Sequence, residues 1–307
     1  MGLTNFPNGL TSFGVPQIGS AGLIPVSSGS YFWVDSGGTG KGTSGSFGNP
    51  FSTLAAAYTA CVASRGDVII MKEGHTETIT TNTALAFSKI GVSIIGLGNG
   101  ALRPTITLTG TTAAVTIAIS AASQLLRNFI ISSGRDELAA AFTISAASVT
   151  LDGVDYVEDD VTHQVLTFVT TTAAATRLTV KNCSLVQLTA PAGNGAAITL
   201  TGADDCVIAN NNIWWNSTDN AGSGAIHGLT TESLRMFVVG NLCVVPAGTS
   251  AIGINPLASS TGVIANNGVS CPNGAGSIVG RSTMLLMQNF AGTTGTTSAI
   301  LDPAAGV

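Results

Sequence analysis

Four stretches decide the fold: Leu178-Thr-Val-Lys-Asn-Cys183, Val207-Ile-Ala-Asn-Asn-Asn212, Phe237-Val-Val-Gly-Asn-Leu242 and Val263-Ile-Ala-Asn-Asn-Gly268. Aligned on the fifth position, they recur every 26 to 30 residues. Gln124-Leu-Leu-Arg-Asn-Phe129 and Val149-Thr-Leu-Asp-Gly-Val154 extend the series upstream, and Leu285-Leu-Met-Gln-Asn-Phe290 extends it downstream. A period this short leaves no room for a βαβ crossover, and no helical pattern lies between the matches. It fits one coil of a parallel β-solenoid. Each coil carries a second β-branched run upstream, as in Ala141-Phe-Thr-Ile-Ser145, Ala196-Ala-Ile-Thr-Leu-Thr201 and Gly224-Ala-Ile-His-Gly228, bounded by turn residues as strands are.

The shared fifth position gathers Asn128, Gly153, Asn182, Asn211, Asn241, Asn267 and Asn289 into one column. Gly and Asn tolerate the left-handed conformation best, and Asn amides stacked ~4.8 Å apart can bond from coil to coil. The column is therefore expected to be a structural turn ladder. Side chains alternate along a strand, so positions one and three should face inward. Position four should face outward, where Arg127, Asp152 and Lys181 alternate in sign between neighbouring coils. Position two shares that outward face and is apolar from Ile208 onward. Ile208, Val238, Ile264 and Leu286 are expected to form a subunit interface; the alternative is a bulge that turns them into the core.

The whole chain of 307 residues carries 11 Lys or Arg and 16 Asp or Glu, a charged fraction of 9% against about 25% in an average globular protein. With 45% hydrophobic residues it is no disordered polyelectrolyte, and a net charge of −5 leaves no basic stripe for nucleic acid. Every apolar run is interrupted well before the ~18 residues of a spanning helix, so no membrane partner is expected. The start, Met-Gly-Leu-Thr-Asn-Phe-Pro, lacks the basic flank and apolar core of a secretory signal, and Phe6 replaces the Ser or Thr of a myristoylation motif. Cys61, Cys183, Cys206, Cys243 and Cys271 are odd in number and widely spaced, which reads as buried free thiols. His75, His163 and His227 have no second ligand at metal spacing, so neither metal nor cofactor is expected.

Residues 1–30 form a separate unit. They contain no charged side chain, many Gly and Pro, and isolated apolar anchors at Leu3, Phe6, Leu10, Phe13, Val15, Ile18 and Ile24. Such an arm is suited to lying on another protein. Residues 31–80 read as an opening strand (Tyr31-Phe-Trp-Val-Asp35), a Gly-rich loop, a capping helix over 50–63 with Ser52 or Thr53 at its N-cap, and the first coil. Residues 81–290 are the β-helix coils and 291–307 a C-terminal tail.

The run Trp33-Val-Asp-Ser-Gly-Gly-Thr-Gly40, then Asn49-Pro-Phe-Ser-Thr-Leu54 with its Ala-rich helix, then Gly66-Asp-Val-Ile-Ile-Met-Lys-Glu-Gly-His-Thr-Glu77, resembles the opening of pectin-lyase-like proteins. That resemblance implies an all-β, single-stranded right-handed parallel β-helix. The stretch Asn5-Phe-Pro-Asn-Gly-Leu-Thr-Ser-Phe-Gly-Val-Pro16 resembles the starts of tailed-phage virion proteins. It implies a capsid decoration (cement) protein on the outer head surface, or a spike, that forms homotrimers and contacts the major capsid protein or other virion proteins.

Relatives of the pectin-lyase-like fold include polysaccharide lyases and tailspike glycosidases. A tailspike-type polysaccharide-degrading enzyme is therefore the alternative function, and a non-catalytic head fibre that binds surface glycans is another. Glycoside hydrolysis needs two carboxylates about 5 to 9.5 Å apart. The one acid-rich patch runs from Asp152 to Asp160, followed by His163. Within it Glu158 and Asp160 share a face if the chain is extended, with Asp155 nearby. Against catalysis, Asp152 already has structural partners in Arg127 and Lys181, Asp204-Asp205 reads as a turn, and one of Trp214 and Trp215 must pack inward. The reading is a non-enzymatic virion protein.

Overall fold

The computed structural model describes residues 27–37, 44–82, 84–158, 160–191, 193, 195–216, 224–246, 252–271, 278, 283–293 and 296–301, together with the two-residue strands Thr11–Ser12 and Val15–Pro16. Those two strands pair antiparallel, Thr11 opposite Pro16 and Ser12 opposite Val15. The other anchors expected on the N-terminal arm lie outside the described residues.

The chain forms a right-handed parallel β-helix. Among the described residues, a first sheet stacks ten strands in parallel, from Tyr31–Val34 to Met284–Met287. A second stacks nine, from Thr76–Ile79 to Asn289–Thr293. A third stacks seven short strands, from Ala86–Phe87 to Ile254–Asn255. The first two sheets meet at a sharp corner within each coil; Leu125–Ser133 and Thr150–Glu158 run through it as continuous strands that belong to both. At the far end Thr296–Leu301 turns back to pair antiparallel with Asn289–Thr293, where an extended tail was expected.

The repeat alignment slips by one residue between the third and fourth of the seven motifs. Val180 pairs with Ile208, so Asn182 stands level with Asn210 and not with Asn211. The left-handed corner is made by Asn128, Gly153, Asn182, Asn210, Gly240, Asn266 and Gln288, all with φ between 49° and 69°. The residue after each corner points inward: Phe129, Val154 and Cys183 in the early coils, then Asn211, Asn241, Asn267 and Asn289, all nearly inaccessible. One expected column is thus two. The Asn-Asn, Gly-Asn and Gln-Asn doublets at 210–211, 240–241, 266–267 and 288–289 place a turn residue beside a ladder residue, and aligning on the Asn alone merges them.

The second column is a buried amide ladder. Asn211 Nδ2 donates to Asn241 Oδ1 at 2.9 Å, Asn241 Nδ2 to Asn267 Oδ1 at 2.9 Å, and Asn267 Nδ2 to Asn289 Oδ1 at 3.0 Å. The backbone N–H groups of Asn211, Asn241 and Asn267 donate to the same three oxygens, and that of Cys183 donates to Asn211 Oδ1. The second amide hydrogens reach the backbone carbonyls of Val180, Ile208, Val238 and Ile264. A buried polar group is tolerated only when satisfied, and here each amide is satisfied by its neighbour's copy.

The slip also overturns the expected interface. Counted from the true corner, Ile208, Val238 and Ile264 continue the inward column of Leu126, Leu151 and Val180, and all are fully buried. Leu286 is half-buried against the same core. Each such side chain contributes roughly 1.5–3 kcal/mol by leaving water. Position one conversely turns outward from the fourth motif on, exposing Phe237 and Leu285.

A helix, Leu54–Ala60, covers the first coil, with Thr53 as N-cap accepting from the Ala56 N–H at 3.2 Å. Glu77 Oε2 accepts from the Leu54 N–H at 2.6 Å. At the other end Lys89 Nζ donates to the carbonyls of Tyr58, Thr59 and Cys61 at 2.7–2.8 Å, placing a cation where the helix leaves its acceptors unpaired. Buried Asp67 ties the helix exit to the first coil. It accepts from the N–H groups of Ser30 (2.8 Å) and Val62 (2.7 Å) and from both Arg65 Nε and Nη2 (2.6 and 2.7 Å).

Burial alone would raise the Asp67 pKa; Arg65 and the two amides outweigh it and hold the carboxyl below its ordinary value. A depressed folded pKa contributes stability above the unfolded value of about 3.9 and loses it as pH falls through the folded one. Asp67→Asn, which turns an amide NH₂ toward donors, is expected to cost about 2 kcal/mol at pH 7. The gap to the wild type should close below about pH 4 in urea titrations across pH; a constant gap would assign the loss to packing.

Candidate functional site

The acid patch sits where the strand Thr150–Glu158 ends, on the second sheet. Asp155 is almost buried. Its Oδ2 accepts at 2.5 Å from Nη2 of Arg103, two coils back, and its Oδ1 at 2.8 Å from the N–H of Ser184 in the next coil. Glu158 accepts from the N–H of Leu188 at 2.6 Å and of Thr189 at 3.1 Å. Asp160, beyond the strand, accepts from the N–H and hydroxyl of Thr162, both at 2.6 Å, and lies 3.0 Å from His163 Nδ1. The three expected carboxylates therefore bind three different segments.

Their protonation preferences diverge. Burial raises the Glu158 pKa against the two amides that hold its charge, and Asp160 adds repulsion. The Thr162 hydroxyl and amide lower that of Asp160, with His163 in support. A carboxyl pushed up beside one pushed down is the polarity that acid–base pairs use. Here burial in the coil wall accounts for the first direction and the bonds that close Asp160's own turn for the second. Among the described residues, no three His, Cys, Asp or Glu side chains come together as a metal site.

The expected charge ladder forms. Asp152 Oδ2 lies 2.9 Å from Arg127 Nη2 and 3.6 Å from Lys181 Nζ, while its Oδ1 accepts from Asn182 Nδ2 at 2.8 Å. Asp152 thus has no free oxygen to offer a substrate. A second charged column was missed. Ser123, Ser148, Arg177, Asp205 and Arg235 all have positive φ and each stands five residues before a corner residue. Asp205 receives Arg235 Nε at 2.6 Å and Nη2 at 3.0 Å, and Arg177 Nε donates to Ser148 Oγ at 3.0 Å. The constant five-residue offset was a readable signal, but strand patterns draw the eye to apolar residues and these are polar turn positions.

Trp215 is fully buried and Trp214 is 42% exposed, dividing the pair between core and surface as expected. All five cysteines are buried. Burial pushes the thiols of Cys61, Cys183, Cys206 and Cys243 up to about 12, so they stay protonated and unreactive at neutral pH.

No family model matches the sequence, and no curated protein matches it. The fold does have solved counterparts. A rhamnogalacturonan lyase superposes with a TM-score of 0.58 at 14% identity, covering 86% of this chain and 74% of its own. The pectate lyase Pel9A does so with a TM-score of 0.50 at 11% identity, covering 92% of this chain and 82% of its own. At these identities the likeness is one of architecture: the chain has the parallel β-helix of polysaccharide lyases.

Proposed function

We propose that this protein is a non-enzymatic structural component of a tailed-phage particle, a stiff β-helix held on the outer head surface by its N-terminal arm. The observation that carries the non-catalytic part is the bonding of the acids. Asp152, Asp155, Glu158 and Asp160 are each engaged by wall or turn groups of the chain itself. The viral setting rests on the resemblance of residues 5–16. The uncharged arm supports attachment, since its spaced apolar residues need a partner surface to leave water.

The test has two arms. The full chain should cosediment with purified heads of the phage that encodes it, and a chain lacking residues 1–30 should not; equal binding of both would remove the arm from attachment. Incubated with polygalacturonate or rhamnogalacturonan, with and without Ca²⁺, the protein should form no unsaturated product by ultraviolet absorbance. A second reading, a polysaccharide-degrading enzyme, is favoured by the opposite shifts of Glu158 and Asp160. Product formation abolished by Glu158→Gln would establish it.

A further inference from the structure

We propose that Asn99 is a self-modification site, where the chain converts a side-chain amide into a carboxylate with water as the only co-reactant, and that the buried Asn ladder holds Asn267 immune to the same reaction. Among the described residues, these two Asn are followed by Gly; Asn8, Asn194 and Asn273, which share that sequence, lie outside them. Gly is the successor this chemistry favours, because its nitrogen is the nucleophile and no Cβ hinders its approach. That nitrogen attacks the Asn Cγ, a C–N bond closes a five-membered imide, and the amide nitrogen leaves as ammonia with the proton that the attacking nitrogen gives up. Water then opens either ring carbonyl, leaving aspartate or, with the chain rerouted through the side chain, isoaspartate.

The two sites differ in what must be broken first. Asn99 is exposed and precedes the short 3₁₀ turn Gly100–Leu102 without a side-chain capping bond. Gly100 is left-handed, with φ 55°. Apart from its chain neighbours, nothing lies within 4 Å of the position a Cβ on Gly100 would take. The peptide joining the pair is held through the Asn99 carbonyl, which accepts from the Leu102 N–H at 3.1 Å. Rotating it to bring the nitrogen onto Cγ, the alignment such a reaction needs, costs that one bond.

At Asn267 both reacting groups are tied. The amide that would leave donates to the carbonyls of Val238 (2.8 Å) and Ala265 (3.0 Å) and to Asn289 Oδ1 (3.0 Å). Its Oδ1 accepts from the N–H and Nδ2 of Asn241, both at 2.9 Å. The Gly268 N–H, the nucleophile, donates to the Asn241 carbonyl at 2.8 Å, and Asn267 is fully buried. Reaction there requires the coil to open. At Asn99 the new carboxylate instead forms beside Arg103, whose Nε donates to the Gly100 carbonyl at 3.3 Å and whose Nη2 holds Asp155. Each event makes the net charge of −5 more negative by one. The chain therefore records its age near the helix-capped end and leaves the ladder intact.

The experiment ages the purified full chain in mildly alkaline buffer, folded and in urea, and locates the acid by peptide mass mapping, with isoaspartate identified by the methyltransferase that labels it. In the folded chain Asn99 should convert, and Asn267 on the order of 100-fold more slowly, several hydrogen bonds standing against one. In urea the two rates should come together, since both Asn are followed by Gly. An unchanged Asn99 or comparable folded-state rates at the two sites overturns the proposal. A difference that persists in urea assigns the contrast to local sequence and overturns it too.

Discussion

Asn241→Ala is expected to lower stability by about 3–4 kcal/mol, the larger loss coming from groups left behind and not from the side chain removed. Its Nδ2 serves the Ile208 carbonyl and Asn267 Oδ1, both at 2.9 Å, and its Oδ1 receives the Asn211 N–H (3.0 Å) and Nδ2 (2.9 Å). Each unsatisfied buried group costs roughly 1–3 kcal/mol, and the column's side chains are all nearly inaccessible. In a chain of this size the change corresponds to a melting temperature lower by about 5 °C. The comparison that gives the result its meaning is Asn266→Ala, one residue before the next ladder position. Asn266 is exposed and left-handed, with φ 54°, so Ala there should cost only about 1–2 kcal/mol of backbone strain, and Gly almost nothing. Denaturant titrations giving the two Ala variants equal losses would refute the division into corner and ladder.

Trp215→Ala is expected to cost about 4 kcal/mol, and Trp214→Ala less than about 1 kcal/mol. Trp215 packs against Tyr156 with ring centroids 5.6 Å apart, Tyr156 against Phe168 at 6.3 Å, and Phe168 against Phe142 edge-on at 5.3 Å. Tyr156 keeps its hydroxyl satisfied by accepting from the Val165 N–H at 3.1 Å, and burial raises its pKa. This aromatic row fills the interior between three sheets, and a void of indole size there cannot collapse without moving several stacked coils. A Trp215→Ala loss under 2 kcal/mol in urea unfolding would show that the coils do shift to fill it.

What could be read in the sequence follows from what repeats. The coil period, the charge ladder of Arg127, Asp152 and Lys181, the capping helix and the split of Trp214 from Trp215 all rest on spacing or alternation. The slip between Lys181 and Asn210 could not be read that way: two neighbouring Asn residues satisfy the same alignment equally well. Only the depth of the side chains distinguishes a left-handed Asn from a ladder Asn. That single residue moved Ile208, Val238 and Ile264 from the surface to the core and brought Phe237 and Leu285 out. At the acid patch, the residue types were legible and their partners were not. Leu188, Thr189 and Ser184, which hold Glu158 and Asp155, lie about one coil away and offer only backbone N–H groups, which carry no mark in a sequence.

The one-coil spacing has a kinetic consequence. The ladder partners lie 22, 26 and 30 residues apart, as do strand neighbours in the stacked sheets, so the relative contact order is about 0.1, in the range of helical bundles. β-Sandwiches of similar size must bring together distant segments before pairing yields anything. Here each coil needs only its predecessor, already in place as the chain leaves the ribosome. Folding can advance from the helix-capped first coil toward the antiparallel closing strand Thr296–Leu301, which ends the succession by turning back on itself.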